Sequence, residues 1–342
     1  MKRAARLFLI SFLSCVATGA AAADAAGDYP NRPIRFITPF VAGGPSDTLS
    51  RLLGQKLSES WNQTVVIDNR GSAGGILGFE LAAHSIPDGY TLLLANGAGL
   101  TINPHVYIKL PYEVKDFQPI TQITSGGYFM VVPISLPAKS IKEYIALAKS
   151  KPGSLNFAAT GTNNLLAAEQ FNYMAGIKAT AVNYKGTGQA ATAVISGEVQ
   201  SFIMSPLIAV PQIKAGKLRA IGFTGPKRST ALPDVPTMGE TVPGYDNITW
   251  HSVVVAAKTP KPIIAKLSKE LMRIIRLPDV QERLNSQGLD AVGSTPEALA
   301  ALIKQELVMY GKVVKQIGLK STGAFPCDQR AGSKPEFMLR DS

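Results

Sequence analysis

The sequence predicts an α/β fold built as two domains. Short β-rich runs alternate with helical apolar spacings along most of the chain. Two longer apolar runs, Phe129 to Ile134 and Ile248 to Ala256, interrupt that alternation on either side of the middle. The 342 residues suffice for about two domains with substantial cores.

Ile34–Thr38 reads as the first strand, followed by a helix over Asp47–Ser58 with Leu49, Leu52, Leu53 and Leu57 at helical spacing. Thr64–Ile67 is a strand, Ile76–His84 a helix and Tyr90–Leu94 a third strand. This rhythm implies a largely parallel sheet with helices on both faces. The middle repeats it: strand Leu155–Ala159 and helix Leu165–Ala175, then Ala181–Tyr184 and Gln189–Ile195. Val199–Met204, Leu207–Lys214 and Leu218–Phe223 complete the set. The end is helical, over Pro262–Arg276 and Pro296–Val314, with Thr295 as N-cap of the latter.

A chain that leaves a first domain and returns to it must cross twice, and the two interrupting runs fit as a hinge. Domain 1 is then discontinuous, about 28–128 plus 252–320, and domain 2 covers 129–251. Residues 321–342 lose all periodicity and read as a disordered tail.

Lys2, Arg3 and Arg6, an apolar run from Leu7 to Ala17 and the small residues Ala21–Ala23 make residues 1–23 a secretory signal peptide. That run is too short to span a bilayer. The lipoprotein box at Cys15 is poor, with Phe12 where Leu is expected. Export from the cytoplasm follows. The only other cysteine is Cys327, which rules out a disulfide scaffold, a Cys-ligated zinc site and an iron–sulfur cluster. The net charge of +11 is spread without a basic block or an aromatic-interleaved stripe, so no nucleic-acid partner is indicated.

Chemistry concentrates at the strand–helix junctions. In Thr38–Asp47, Gly43 and Gly44 permit close backbone approach, and Ser46 or Asp47 is placed to cap the next helix. The free N–H groups of such a helix start form an anion site. Asn69–Gly78 repeats the device with Ser72, Ala73, Gly74 and Gly75, but its spacing is not G-x-G-x-x-G, and no dinucleotide is implied. Ala98 lies in a third small-residue junction. Thr160, Thr162 and Asn163 put hydroxyls and an amide before a helix, and Lys185 adds a cation in Tyr184–Gly188. Several such loops, in two domains, favour a ligand cleft between them. Phe40, Tyr128, Tyr184 and Trp250 are the aromatic residues available to line it.

Catalysis finds little support. No G-x-S-x-G elbow occurs, and His84, His105 and His251 have no metal-ligand spacing. Ser46 and Ser72 have no base placed beside them, although members of a triad need not be adjacent. His251 reads equally as an interior histidine or a ligand contact. No cofactor or metal is called for, and the reading is a binding protein rather than an enzyme.

At these residues the chain resembles the Bug family, the periplasmic solute receptors of tripartite tricarboxylate transporters. The resemblance runs from Tyr29 to about Leu319. It is carried by Tyr29–Ile34, Pro39–Asp47, Val66–Gly75, Pro87–Leu93, Leu110–Tyr112, Val182–Gly186, Gly216–Ala220 and Arg228–Thr237. It implies a type II periplasmic-binding-protein fold, two α/β domains on a two-strand hinge closing on a small carboxylate. It also implies that the two domain-1 loops grip the carboxylate through Gly43, Gly44 and Ser46, and through Ser72, Ala73, Gly74 and Gly75. Asp47 is assigned to capping and to fixing a water. Thr160, Thr162, Asn163, Lys185 and Ser205 would then discriminate the rest of the ligand.

Ala42 stands where the family commonly has Pro, Gly71-Ser72 where it has Pro-Gly, and Thr160–Leu166 where a Gly-Ser and a His are usual. These departures bear on ligand choice rather than fold. The implied partners are a large permease and a small membrane protein, with the receptor itself a monomer. The alternatives are a sensory module serving a membrane sensor kinase, or a secreted hydrolase on the same fold.

Overall fold

The computed structural model describes residues 27–319. The leader read over residues 1–23, Cys15, Cys327 and the tail of 321–342 therefore lie outside the described residues.

Strand β1 (Ile34–Thr38) lies between β2 (Val65–Asn69) and β3 (Thr91–Asn96), all three parallel. Helix α1 (Pro45–Trp61) links β1 to β2, and α2 (Ile76–Ala83) links β2 to β3. The four leucines of α1 form one buried stripe against Ile34, Phe36 and Leu92, as their spacing requires. After β3 come two short helices, α3 (Gly97–Thr101) and α4 (Asn103–Val106), then the long strand β4 (Phe117–Gly126).

The chain next crosses at Gly127 and Tyr128 into a second sheet. Its elements are β5 (Phe129–Pro133), α5 (Ile141–Ser150), β6 (Leu155–Ala159), α6 (Thr162–Ala175), β7 (Ala179–Asn183), α7 (Thr187–Ser196), β8 (Ser201–Met204), α8 (Pro206–Lys214) and β9 (Leu218–Phe223). The return crossing leads to β10 (Thr249–Ala256). Helix α9 (Lys261–Ile275), α10 (Pro278–Asn285), the two-residue β11 (Asp290–Ala291) and α11 (Pro296–Ile317) follow.

The first sheet has the order β11-β4-β10-β3-β1-β2 and the second β7-β6-β8-β5-β9. Each is mixed rather than largely parallel. Three parallel strands come from strand–helix–strand units. Beside them, β10 runs antiparallel to β3 and β4, and β5 runs antiparallel to β8 and β9. These are the two runs that broke the sequence rhythm. They do not pair with each other. All eight residues of β10 and all five of β5 are buried, which explains their near-continuous apolar character. The connections between the sheets lie beside them.

Thr224 ties the two crossings together. Its hydroxyl accepts the Tyr128 N–H at 2.7 Å and donates to the Asn247 carbonyl at 2.6 Å. Its backbone completes the knot, with its N–H on the Tyr128 carbonyl and its carbonyl taking the Asn247 N–H. The sheets also share a core. Tyr310, Val314 and Leu319 at the end of the chain and Ile102 after β3 pack in one buried cluster with Leu166 and Phe171 of α6.

Within the first sheet, Glu306 of α11 is buried. Its carboxylate accepts the Trp250 indole N–H at 2.8 and 2.9 Å and the Thr101 hydroxyl at 3.1 Å. Burial raises its proton affinity, and the hydrogen bonds from Trp250 and Thr101 only partly offset that. A carboxyl whose affinity for its proton rises on folding contributes stability at acid pH that is lost as pH rises through the folded value. Glu306→Gln keeps an acceptor for Trp250 without the charge. Its stability relative to wild type is expected to improve between pH 5 and pH 8 in urea titrations, and the opposite trend would refute the assignment.

Candidate functional site

Five helices begin at the carboxyl ends of strands that point into one space between the sheets. Their N-caps are Gly44 for α1, Asn96 for α3, Gly161 for α6, Gly186 for α7 and Ser205 for α8. All five line a single cavity of about 80 Å³. About 10–15 Å³ admits one water, so this space takes a small ligand. The first turns of a helix carry N–H groups with no intrahelical acceptor and the positive end of the dipole. Their convergence makes the cavity electropositive before any side-chain charge is counted.

The formal charges agree. Lys185 is in the wall, and it forms no ion pair among the described residues. No Asp or Glu is among the residues lining the cavity. Loops of both sheets close over it. The Val41 side chain reaches Gly186, where an added Cβ would stand 2.7 Å from it. A side chain at position 186 would oblige Val41 to shift.

Of the sequence-predicted residues, the structure brings Phe40, Gly44, Ser46, Thr160, Asn163, Lys185 and Ser205 together in the wall. Ala42, Gly43, Asp47, Ser72, Gly74, Gly75, Ala98 and Thr162 are not among the lining residues. Ala42 and Gly43 belong to the same loop as Gly44. Asp47 is not the cap. Pro45 suits the first helical position, where its missing N–H costs nothing, so α1 starts earlier and Gly44 becomes the N-cap. Asp47 instead accepts the Gly43 N–H and the Arg51 Nε, each at 3.0 Å. Burial pushes its carboxyl up, but Arg51, the Gly43 N–H and Asn69 outweigh burial and hold it below the usual value. Its charge is thereby paired behind the helix start.

The second glycine loop is also displaced from the wall. The Ser72 hydroxyl accepts the Leu77 N–H at 2.9 Å, and Gly74 and Gly75 both have positive φ, so the local motif forms. However, the Gly74 carbonyl accepts the Asn103 side chain at 3.0 Å, and an added Cβ on Gly74 would meet the Tyr107 hydroxyl. Ser72, Gly74 and Gly75 are not among the lining residues, and the Ala73 side chain lies outside what the structure describes. Ala98 is inside the shared core. Thr162 is buried and bonds Tyr107.

Sequence reasoning left Asn96 and Tyr128 without a firm role and His251 undecided. All three line the cavity. Asn96 sits at a strand-to-helix junction like the others, and that was the available signal. Among the described residues no group of three or more His, Cys, Asp or Glu is placed to hold a metal ion. None of their helices is long and apolar enough to cross a membrane.

The model of the tripartite tricarboxylate transporter family receptor matches residues 49–319. The chain belongs to this family. Among its curated relatives is the protein BugT of Bordetella pertussis, 32% identical over 92% of this chain and 98% of BugT. A solved structure of Rpa4515 from R. palustris with adipate is 30% identical, with a TM-score of 0.83 over 85% of this chain and 99% of that one. MatC from Rhodopseudomonas palustris with bound malate is 29% identical, with a TM-score of 0.80 over 84% and 100%. The Bug-family resemblance read from the loops is thus shown, and the two-sheet architecture is the two-domain periplasmic-binding-protein fold. This receptor family is one of solute-binding proteins rather than enzymes.

Proposed function

We propose that this receptor captures a small carboxylate in the cleft between its sheets, in the periplasm, and delivers it to the membrane subunits of a tripartite transporter. Five helix N-termini around a wall with one lysine and no acidic residue are the observation that carries the ligand class. The adipate and malate in the two related structures support it. The lobes, taken as 28–128 with 252–320 and as 129–251, would close about the Thr224 knot. Closure buries the ligand and presents a surface that a permease can distinguish from the open form. The carboxylate would sit on the free N–H groups of Ser46 and its neighbours at the α1 start. Ser205, Thr160 and Asn163 would meet the remainder of the ligand.

The test is a thermal-shift screen of the ligand-free protein against mono-, di- and tricarboxylates and aromatic acids. A ligand at a hundred times its Kd adds about 2.7 kcal/mol of stability. For domains of this size that is a rise of roughly 5–10 °C. Shifts confined to carboxylates are expected. A folded, ligand-free protein that no carboxylate shifts would overturn the reading.

A further inference from the structure

Between Ala257 and Arg276 the sequence has six cations and one acidic residue. Along the chain they are spaced apart, but the fold gathers four of them. Lys258, Lys261, Lys269 and Arg276 line one open groove of about 780 Å³ between α9 and the start of α11. On α9 the lining recurs at Lys261, Ile264, Ser268, Met272 and Arg276, steps of three and four that make one helical stripe. The one acid of α9, Glu270, is held by Arg273 at 2.6 Å. None of the four groove cations forms an ion pair among the described residues. Glu297, in the first turn of α11, is the only carboxylate of the wall. Lys258 has a φ of +70°, a left-handed backbone that glycine adopts with less strain. A cation is thus kept at the mouth of α9 at a conformational cost.

We propose that this groove is a docking surface for an extended acidic segment of a partner protein. It is separate from the ligand cavity. In β10, His251 lies at the cavity beside Asn96, while Ala256 lies at the other end of the strand, beside Phe117. Five strand residues put about 17 Å between those ends. The α9 stripe from Lys261 to Arg276 is about 22 Å long at about 1.5 Å per residue, the reach of about seven residues of extended chain. No single small anion can touch cations spread over that length, whereas a strand with acidic side chains can. Ile264, Ala265 and Met272 give the groove an apolar floor. Alternate side chains of a docked strand would rest on that floor and the acidic ones would meet the cations. The N-terminus of α9 adds its dipole at the Lys261 end. The cations line a concavity, which fits a chain better than a flat lipid surface. Charge complementarity of this kind steers a partner into register and speeds its arrival.

The experiment is fluorescence anisotropy of the whole protein with a labelled seven-residue peptide of glutamates and leucines, beside its glutamine counterpart. Wild type is expected to bind the acidic peptide at low salt and to ignore the neutral one. The double variant Lys269→Glu with Arg276→Glu is expected to lose tenfold or more. The control pair Lys142→Glu with Lys178→Glu makes the same change of net charge at exposed sites of the other lobe, and is expected to leave the affinity within twofold. Equal losses in both pairs would overturn the proposal, because net charge alone would then explain the binding. A second measurement uses wild type only: carbodiimide joins peptide carboxylates to nearby lysines, and the products are mapped by mass spectrometry. Cross-links are expected at Lys258, Lys261 or Lys269, and products confined to other lysines would overturn the assignment. Wild type that binds phosphatidylglycerol vesicles but not the peptide would overturn it as well and give this face to a membrane.

Discussion

Gly44→Leu is expected to leave the protein folded and to weaken carboxylate binding by a hundredfold or more. Gly44 has φ −90° and ψ 176°, a conformation any residue adopts. A Cβ there would stand 3.6 Å from the Val41 carbonyl oxygen, an ordinary contact. Nothing in the fold therefore demands glycine at this position, in contrast to Gly43 with its φ of +81°. What the position does demand is room, because Gly44 lines the cavity at the start of α1. A leucine would occupy the space through which the ligand reaches the free N–H groups. Hydrogen bonds from backbone N–H to a carboxylate contribute about 1.5–3 kcal/mol each. Losing two costs at least about 3 kcal/mol, a little over a hundredfold in Kd. Calorimetric titration with the best ligand of the screen, beside a thermal melt of the free variant, measures both halves. An unchanged Kd would remove the α1 start from the site.

Thr224→Val is expected to lower stability by about 2–6 kcal/mol, because two buried backbone groups each lose a partner worth about 1–3 kcal/mol. The substitution keeps the shape and removes the hydroxyl that joins Tyr128 to Asn247. Thr224 is fully buried, so water cannot replace it. A drop in melting temperature of roughly 5–25 °C follows. Kd should move far less than in Gly44→Leu, since no residue of the cavity wall is changed. A variant as stable as wild type would show that the crossings are held by their strands alone.

Much of the fold was legible because its signals are local. The α1 leucines and the apolar runs of β5 and β10 read directly as elements. Helix starts were read two or three residues late at α1, α6 and α7. In each case glycine is the N-cap, and a glycine announces a turn without saying which residue begins the helix. β4 went unread because Thr121, Gln122 and Thr124 are polar although buried. Their partners are remote: the Thr121 hydroxyl donates to the Ser294 carbonyl at 2.7 Å, across 173 residues. The site divided in the same way. Gly44 and Ser46 belong to a loop motif and were found from it. His251 became a wall residue only through its register with Asn96, which no local pattern encodes. Conversely, Ser72 to Gly75 was read as a second helix-start loop of the cleft, and nothing local announced the Asn103 and Tyr107 side chains that pack against Gly74.

The last helix has a consequence for the order in which the molecule assembles. Tyr310, Val314 and Leu319 complete a cluster whose other members include Leu166 and Phe171, about 150 residues earlier. This one cluster, unlike the other buried cluster of the second sheet, is therefore complete only with the final turns of α11 in place. Contacts of such high sequence separation slow folding, because a long loop must close before any of them forms. Closing this cluster joins residues far apart in the sequence and is expected to be among the slower steps of folding.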